Sequence, residues 1–304
     1  MIDNIFDDIV GNSKVKESLK LAIRNSKISH SYMFVGLEGI GKQLFAKEFA
    51  KEILCLNKNN CIKDNQEKSC DSCIKFNTLN HPDFRYLEKE GNSIKIEKIR
   101  ELQKHIQEKP IISQKKVYII NDVETMTKEA QNCLLKTLEE PPEYAVIILI
   151  CQNENMMLTT IKSRCMILQF EKIPKEDILR YVKSNEDIQI NEEILDVFDG
   201  SIGKILELKD KQESYLNIQK FIEQIDKNDI LEILNYAKPL YETKEEIYNL
   251  LEFINIILLK KCKIDSRYSN CIMMVEETKK RLKQNSNYDM TIDNMVFSMW
   301  EDIN

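Results

Sequence analysis

Between Met33 and Leu54 the chain passes from an apolar triplet, Met33-Phe34-Val35, through Gly36-Leu37-Glu38-Gly39-Ile40-Gly41 into Lys42-Gln43 and a helical pattern. This is G-x-x-x-x-G-K where it carries meaning: after a strand and at the start of a helix. Glycines allow backbone N–H groups to converge on a phosphate, and Lys42 adds a charge at the helix N-terminus. Gly36, Gly39, Gly41, Lys42 and Gln43 are therefore candidate phosphate-loop residues. The competing reading is a strand–loop–helix turn that carries three glycines and binds nothing.

The same alternation continues to about residue 170. Val117 to Ile120, Ala145 to Cys151 and Met166 to Phe170 are short apolar runs that predict buried strands, and Lys14 to Asn25 is a further helical pattern. Strands alternating with helices imply right-handed crossovers and a parallel sheet. The segment Glu124 to Glu140 is expected to be a helix with Met126, Ala130, Cys133, Leu134 and Leu138 on one face, ended by Pro141-Pro142. A short helical region from Ile173 to Glu207 bridges to the remainder. All seven glycines lie at or before Gly203, and the later residues hold one proline, Pro239. Helical spacing there, as at Ile247, Leu250, Ile254 and Ile257, predicts a bundle, with Met273 and Met274 in its core.

At 304 residues the chain suits two or three domains. Its net charge of −6 offers no basic footprint for nucleic acid, so partners would supply much of any phosphate contact. No apolar run approaches a membrane span. Met1-Ile2-Asp3-Asn4 has no basic or apolar leader pattern, so a cytoplasmic protein is expected. Four of the nine cysteines, Cys55, Cys61, Cys70 and Cys73, follow C-x5-C-x8-C-x2-C. Cys70-Asp71-Ser72-Cys73 is a good half-site, and four thiolates would close a tetrahedral structural zinc site; the alternative is reduced surface thiols. Cys133, Cys151 and Cys165 are expected to fill core space, and His30, His81 and His105 are too dispersed to form one cluster.

The phosphate loop is altered where hydrolysis needs it intact. A hydroxyl residue should follow the Lys to hold Mg²⁺, and here Gln43 stands. An acidic pair should follow the strand ending at Ile120. Aligned on Lys116-Val117-Tyr118, the magnesium Asp has become Asn121 and the catalytic Glu has become Asp122. Shifted by one, Asp122 is rescued but Val123 takes the place of the water-orienting acid.

Several segments together resemble the AAA+ clamp-loader subunits of bacterial DNA polymerase III over nearly the whole chain. They are Phe6 to Asn12, His30 to Gly36, His81-Pro82-Asp83-Phe84, Asn132 to Pro142 with its Leu-Leu-Lys-Thr-Leu-Glu-Glu-Pro-Pro run, Ile161 to Cys165, and Gly200 to Lys204. The resemblance implies an α/β fold: a RecA-like AAA+ P-loop domain with a parallel sheet over 1–170, a zinc module inserted at about 55–73, a small helical lid over 171–208, and an all-α collar over 209–304. It implies that Val10 and Gly11 lie at the adenine, that ATP or ADP can bind while hydrolysis is impaired, and that zinc is structural. The family usually spaces its later cysteines tightly; here the second is displaced to Cys61, with Glu67 where it would stand.

Within the family, Gln43, Asn121 and Asp122 point to the non-motor kind of subunit. So does Gly203 in place of the lid arginine, with Lys204 beside it, and Cys151-Gln152 where motors carry threonines. The length points the same way, because motors usually carry further domains. In such subunits the arginine of Ser163-Arg164-Cys165 reaches a neighbour's ATP site as an arginine finger; the bland alternative is a surface arginine paired with a carboxylate. The partners implied are motor subunits, the delta subunit, a sliding clamp and primer–template DNA reached through the complex. The rival reading is an ATP-hydrolysing clamp-loader motor or other AAA+ ATPase; a free-standing phosphate-loop kinase leaves the Ser-Arg-Cys motif unexplained. None of the sequence resembles a polymerase active site, so nucleotidyl transfer is expected of other subunits.

Overall fold

The computed structural model describes residues 5–57, 61, 69–184, 200–207 and 211–304. The chain divides into two compact units, Met1–Ile178 with Ser201–Gly203 and Leu179–Gly200 with Lys204–Asn304.

The first unit is built on five parallel strands, β1 (Ser31–Val35), β2 (Phe84–Leu87), β3 (Lys116–Ile120), β4 (Ala145–Cys151) and β5 (Met166–Gln169), in the order β2-β3-β4-β1-β5. Register is fixed by pairs such as Val35↔Cys151, Tyr32↔Met166, Lys116↔Ala145 and Phe84↔Val117. Every residue of β1, β3 and β4 is buried, which is why these strands are unbroken apolar runs and not alternating ones. Tyr32, Phe34, Val117, Ile119, Ile148 and Ile150 face one core with Leu19 of α1 (Ser13–Arg24) and Phe45 and Phe49 of α2 (Lys42–Leu54). The alternate residues Met33, Val35, Tyr118, Ile120, Ile147 and Leu149 face a second core. Ile99 and Leu102 of α4 (Ile96–Gln107) and Leu134 and Leu138 of α5 (Lys128–Glu139) complete it. Truncating a fully buried residue such as Phe49 or Leu134 to alanine costs about 2–5 kcal/mol.

In this unit one strand was not anticipated and one expected helix starts later. β2 was not legible as a strand: it is an edge strand of partly exposed residues. The helix expected from Glu124 starts instead at Lys128, because the Thr127 hydroxyl caps it by accepting from the Ala130 N–H. Val123–Thr125 form a separate 3₁₀ turn after β3. Between α2 and β2 lies α3 (Asp71–Asn77).

In the second unit the described secondary structure is helical, as the spacing after Gly203 predicts, with long helices at Gln212–Gln224, Ile247–Cys262, Ser269–Lys283 and Tyr288–Ile303. Tyr215, Phe221, Phe253, Ile254, Val275, Val296 and Met299 fill its interior. Met273 is 66% exposed and Met274 half-buried, so the pair is not core; Cys271, Val275 and Thr278 form the buried side of that helix.

Candidate functional site

The phosphate loop sits where the sequence places it, at the C-terminal edge of the sheet. β1 and β4 stay joined past Val35, since the Gly36 N–H donates to Cys151 O at 3.2 Å. Gly36 cannot carry a side chain: a Cβ there would lie 2.6 Å from Ile40 Cδ1 and 2.8 Å from Phe170 O. Gly41, the residue before α2, has φ 93° and turns the chain into the helix. The Lys42 Nζ donates to Gly36 O and Leu37 O, each at 2.6 Å, and the residue is only 6% exposed. Burial lowers its pKa, opposed first by the charge of Glu124 and then by Cys151, Glu38 and Asp122. Gln43 is exposed. Of the segment before α1, Ile9 packs at Gly41, and Gly11 packs against Ile173. Gly203 packs directly on the loop: its N–H donates to Gly39 O at 2.8 Å, and a Cβ on it would lie 2.8 Å from Gly39 Cα.

Directly after β3 come Asn121, Asp122 and, in the 3₁₀ turn, Glu124. Asn121 is buried, and its N–H bonds to Leu87 O at 2.8 Å. Asp122 takes a left-handed conformation, φ 50°, and its carboxylate pairs with Lys89 at 3.4 Å. The acid that faces the end of β4 is Glu124. Its Oε1 accepts from the Gln152 N–H at 2.9 Å, and its Oε2 is buried with no hydrogen-bond partner among the described residues. The Cys151 thiol is pushed up to about 12 by burial first and then by the Glu124 charge.

Arg164 follows the short helix α6 (Thr159–Lys162) just before β5. Its guanidinium donates to Thr160 O at 2.8 Å and pairs with Glu139 at 2.9 Å, and the side chain is 34% exposed. Cys165 beside it is driven up to about 12 by burial, an inert packing thiol.

The four cysteines converge, with all their sulfurs within 4.8 Å of one another. Cys61 joins the cluster despite its displaced spacing: its Sγ accepts from the Cys70 N–H at 3.2 Å. Cys55 and Cys70 sulfurs are 3.9 Å apart, and sulfurs bound at about 2.3 Å to one tetrahedral ion stand roughly 3.8 Å apart, so the donor set fits zinc. The Cys73 thiol holds Cys55 down at about 5, against burial, while that bond and burial push Cys73 up. Behind the cluster, His81 Nδ1 accepts from the Asp83 N–H, so Nε2 carries the proton and donates to Ser72 Oγ at 2.8 Å. Ser72 and Ser113 hydroxyls both donate to Leu54 O at 2.7 Å, tying the cysteine knuckle to the end of α2.

A family model described as DNA polymerase III, delta subunit, matches residues 11–174, more than half of the chain. The chain belongs to the clamp-loader AAA+ family of DNA polymerase III. The Bacillus subtilis subunit delta′ of that polymerase is 35% identical over 54% of this chain and 49% of its own length. The Mycoplasma pneumoniae gamma/tau subunit is 33% identical over 68% of this chain and 30% of its own length. The chain thus spans half or less of these curated relatives. A gamma subunit-related protein of DNA polymerase III from Thermotoga maritima shares the fold, with TM-score 0.55 at 20% identity, over 94% of this chain and 99% of that one. The family's RecA-like AAA+ sheet is thereby the architecture of the first unit.

Set in this family, Glu124 is the residue that sequence reasoning missed. Periodicity assigned it to a helix, and only the Thr127 cap signal could have separated it from α5.

Proposed function

We propose that this chain is a delta-prime-type stator of a DNA polymerase III clamp loader: it supports loading of a sliding clamp onto primed DNA without hydrolysing ATP. The observation that carries this reading is the state of its own site. Gln43 is exposed, Asn121 is an amide, and Asp122 is paired with Lys89, so the three positions that would hold Mg²⁺ and orient water are each altered. Lys42 and the intact loop favour the rival, an ATP-hydrolysing motor, but they supply phosphate binding alone.

Arg164 is the residue for work in trans. It sits at a partly exposed edge, and its tethers, one backbone carbonyl and one surface carboxylate, are cheap to break. In a neighbour's ATP site its guanidinium would offset charge developing on the transferred phosphoryl group, an effect on the order of 10³–10⁵ in rate for trans arginine fingers. Cys55, Cys61, Cys70 and Cys73 would hold zinc; four protein ligands leave no open position, so the ion would brace the loop. The second unit would serve as the collar that packs against partner subunits, with residues 171–208 as lid. The partners on this reading are the motor and delta subunits, the clamp, and primer–template DNA through the complex. Among the described residues no helix is long and apolar enough to cross a membrane.

The test is ATP hydrolysis with clamp and primed DNA, measured for this chain alone, for the motor subunit with it, and for the motor with Arg164→Ala. Silence alone and Arg164-dependent stimulation in the complex support the stator. Hydrolysis by the purified chain that Lys42→Ala abolishes would overturn it in favour of a motor.

A further inference from the structure

The chemistry of Glu124 goes beyond a merely degenerate site. We propose that the Glu124 carboxylate makes the phosphate loop selective for a nucleoside diphosphate by excluding the terminal phosphoryl group of a triphosphate. The inference rests on the phosphate-loop reading and specifies the ligand of that loop.

The carboxylate lies beyond the C-terminal ends of β3 and β4, the edge at which ligands of open parallel sheets bind. It is anchored there by the Gln152 N–H, one residue past β4, and β4 is joined to the loop through Gly36 and Cys151. The turn that carries it is pinned on both sides. The Thr125 hydroxyl and N–H bond to Asp122 O, the Ile94 N–H donates to Thr125 O, and the Thr127 N–H donates to Ile94 O. Its second oxygen is buried and has no hydrogen-bond partner among the described residues. Because Gly36 bonds to Cys151 and the next residue, Gln152, bonds to Glu124, the carboxylate lies beside the start of the loop.

A phosphate loop cradles the inner phosphates with backbone N–H groups, while its lysine reaches the outer ones. In a working site Mg²⁺ neutralises the outer oxygens, held by a Ser or Thr and an acid. Here Gln43 and Asn121 occupy those places, so a third phosphoryl would face Glu124 with its charge unscreened. A diphosphate stops short of that encounter and keeps the N–H cradle and Lys42. A like-charge contact of a few ångströms in a partly dry crevice changes affinity by about tenfold or more.

The experiment measures ADP and ATP binding to the full chain by calorimetry, with and without Mg²⁺, for the wild type, Glu124→Gln and Lys42→Ala. Glutamine keeps an oxygen for the Gln152 N–H, and far-UV circular dichroism and a thermal melt establish that each variant is folded. The expected result is wild-type preference for ADP over ATP by about tenfold or more. Glu124→Gln is expected to remove that preference by tightening ATP while leaving ADP unchanged. An unchanged ratio in Glu124→Gln overturns the proposal. So does weaker ATP binding in that variant confined to Mg²⁺ solutions, since Glu124 would then be a metal ligand. If neither nucleotide binds the wild type or the variant, the phosphate-loop reading falls and takes the proposal with it. ADP binding that Lys42→Ala abolishes, together with an unchanged ATP affinity in Glu124→Gln, sinks the proposal alone.

Discussion

Asp83 is fully buried and holds the segment that leads into β3: its Oδ1 accepts the Ile111 N–H at 2.7 Å, and its Oδ2 accepts those of Ile112 and Ser113 at 2.8 Å. Burial pushes its carboxyl up, but the three N–H bonds outweigh burial and hold the pKa below the usual carboxylate value. Asp83→Asn keeps the shape and removes the charge. One of its two terminal groups must then be an NH₂ facing an N–H, so at least one bond becomes a donor–donor clash and the others lose charge assistance. With charged hydrogen bonds contributing about 1.5–3 kcal/mol each, the expected loss is about 3–5 kcal/mol. For a unit of this size the corresponding fall in Tm is roughly 10 °C. The sign with pH follows from the lowered pKa. The stabilisation is present above the unfolded carboxylate value, near 4, and is lost as pH falls through the folded one. Urea unfolding followed by far-UV circular dichroism gives the magnitude; Trp300 lies in the other unit and is the wrong reporter. Hydrogen exchange of the amides of residues 111–113 gives the locality. Unchanged protection at those amides and an unchanged urea midpoint in Asp83→Asn would refute the reasoning.

Purified gently, the chain is expected to carry one zinc per chain, and Cys73→Ser or a strong chelator should release it with loss of thermal stability; elemental analysis far below one equivalent counts against the site. Glu139→Gln should leave stability within about 0.5 kcal/mol, because the Arg164 pair is exposed, while altering motor stimulation in the assembled complex; a large stability loss would contradict the geometry. Gly203→Ala should destabilise the first unit by about 1–3 kcal/mol, since its Cβ would press on the backbone of Gly39, and a melt identical to wild type would contradict that packing.

What was legible in the sequence was whatever burial forces on composition. β1, β3 and β4 are covered on both faces, so their apolar runs stood out, whereas β2 is a half-exposed edge whose Arg85 and Tyr86 look like loop. The loop glycines were legible because backbone geometry allows little else at Gly36 and Gly41. Glu124 was hidden because apolar spacing at Met126 and Ala130 extends a helical pattern through residues that the Thr127 cap holds outside it. Met273 shows the converse: helical spacing gives a face but not which side of it is covered. The four-cysteine grouping was legible from C-x5-C-x8-C-x2-C, and Cys61 joins it despite its displaced spacing.

Helix α2 has Lys42 as its first residue and Leu54 as its last, with Cys55 next in the chain. Thirteen residues at 1.5 Å each make a rod about 20 Å long, stiff along its axis because its hydrogen bonds run parallel to it. The loop lysine and the first sulfur of the cysteine cluster are therefore two ends of one strut. Ser72 and Ser113 clamp the far end at Leu54 O. A shift of that clamp along the axis would be delivered to the Lys42 ammonium almost undiminished, although the two ends share no side-chain contact.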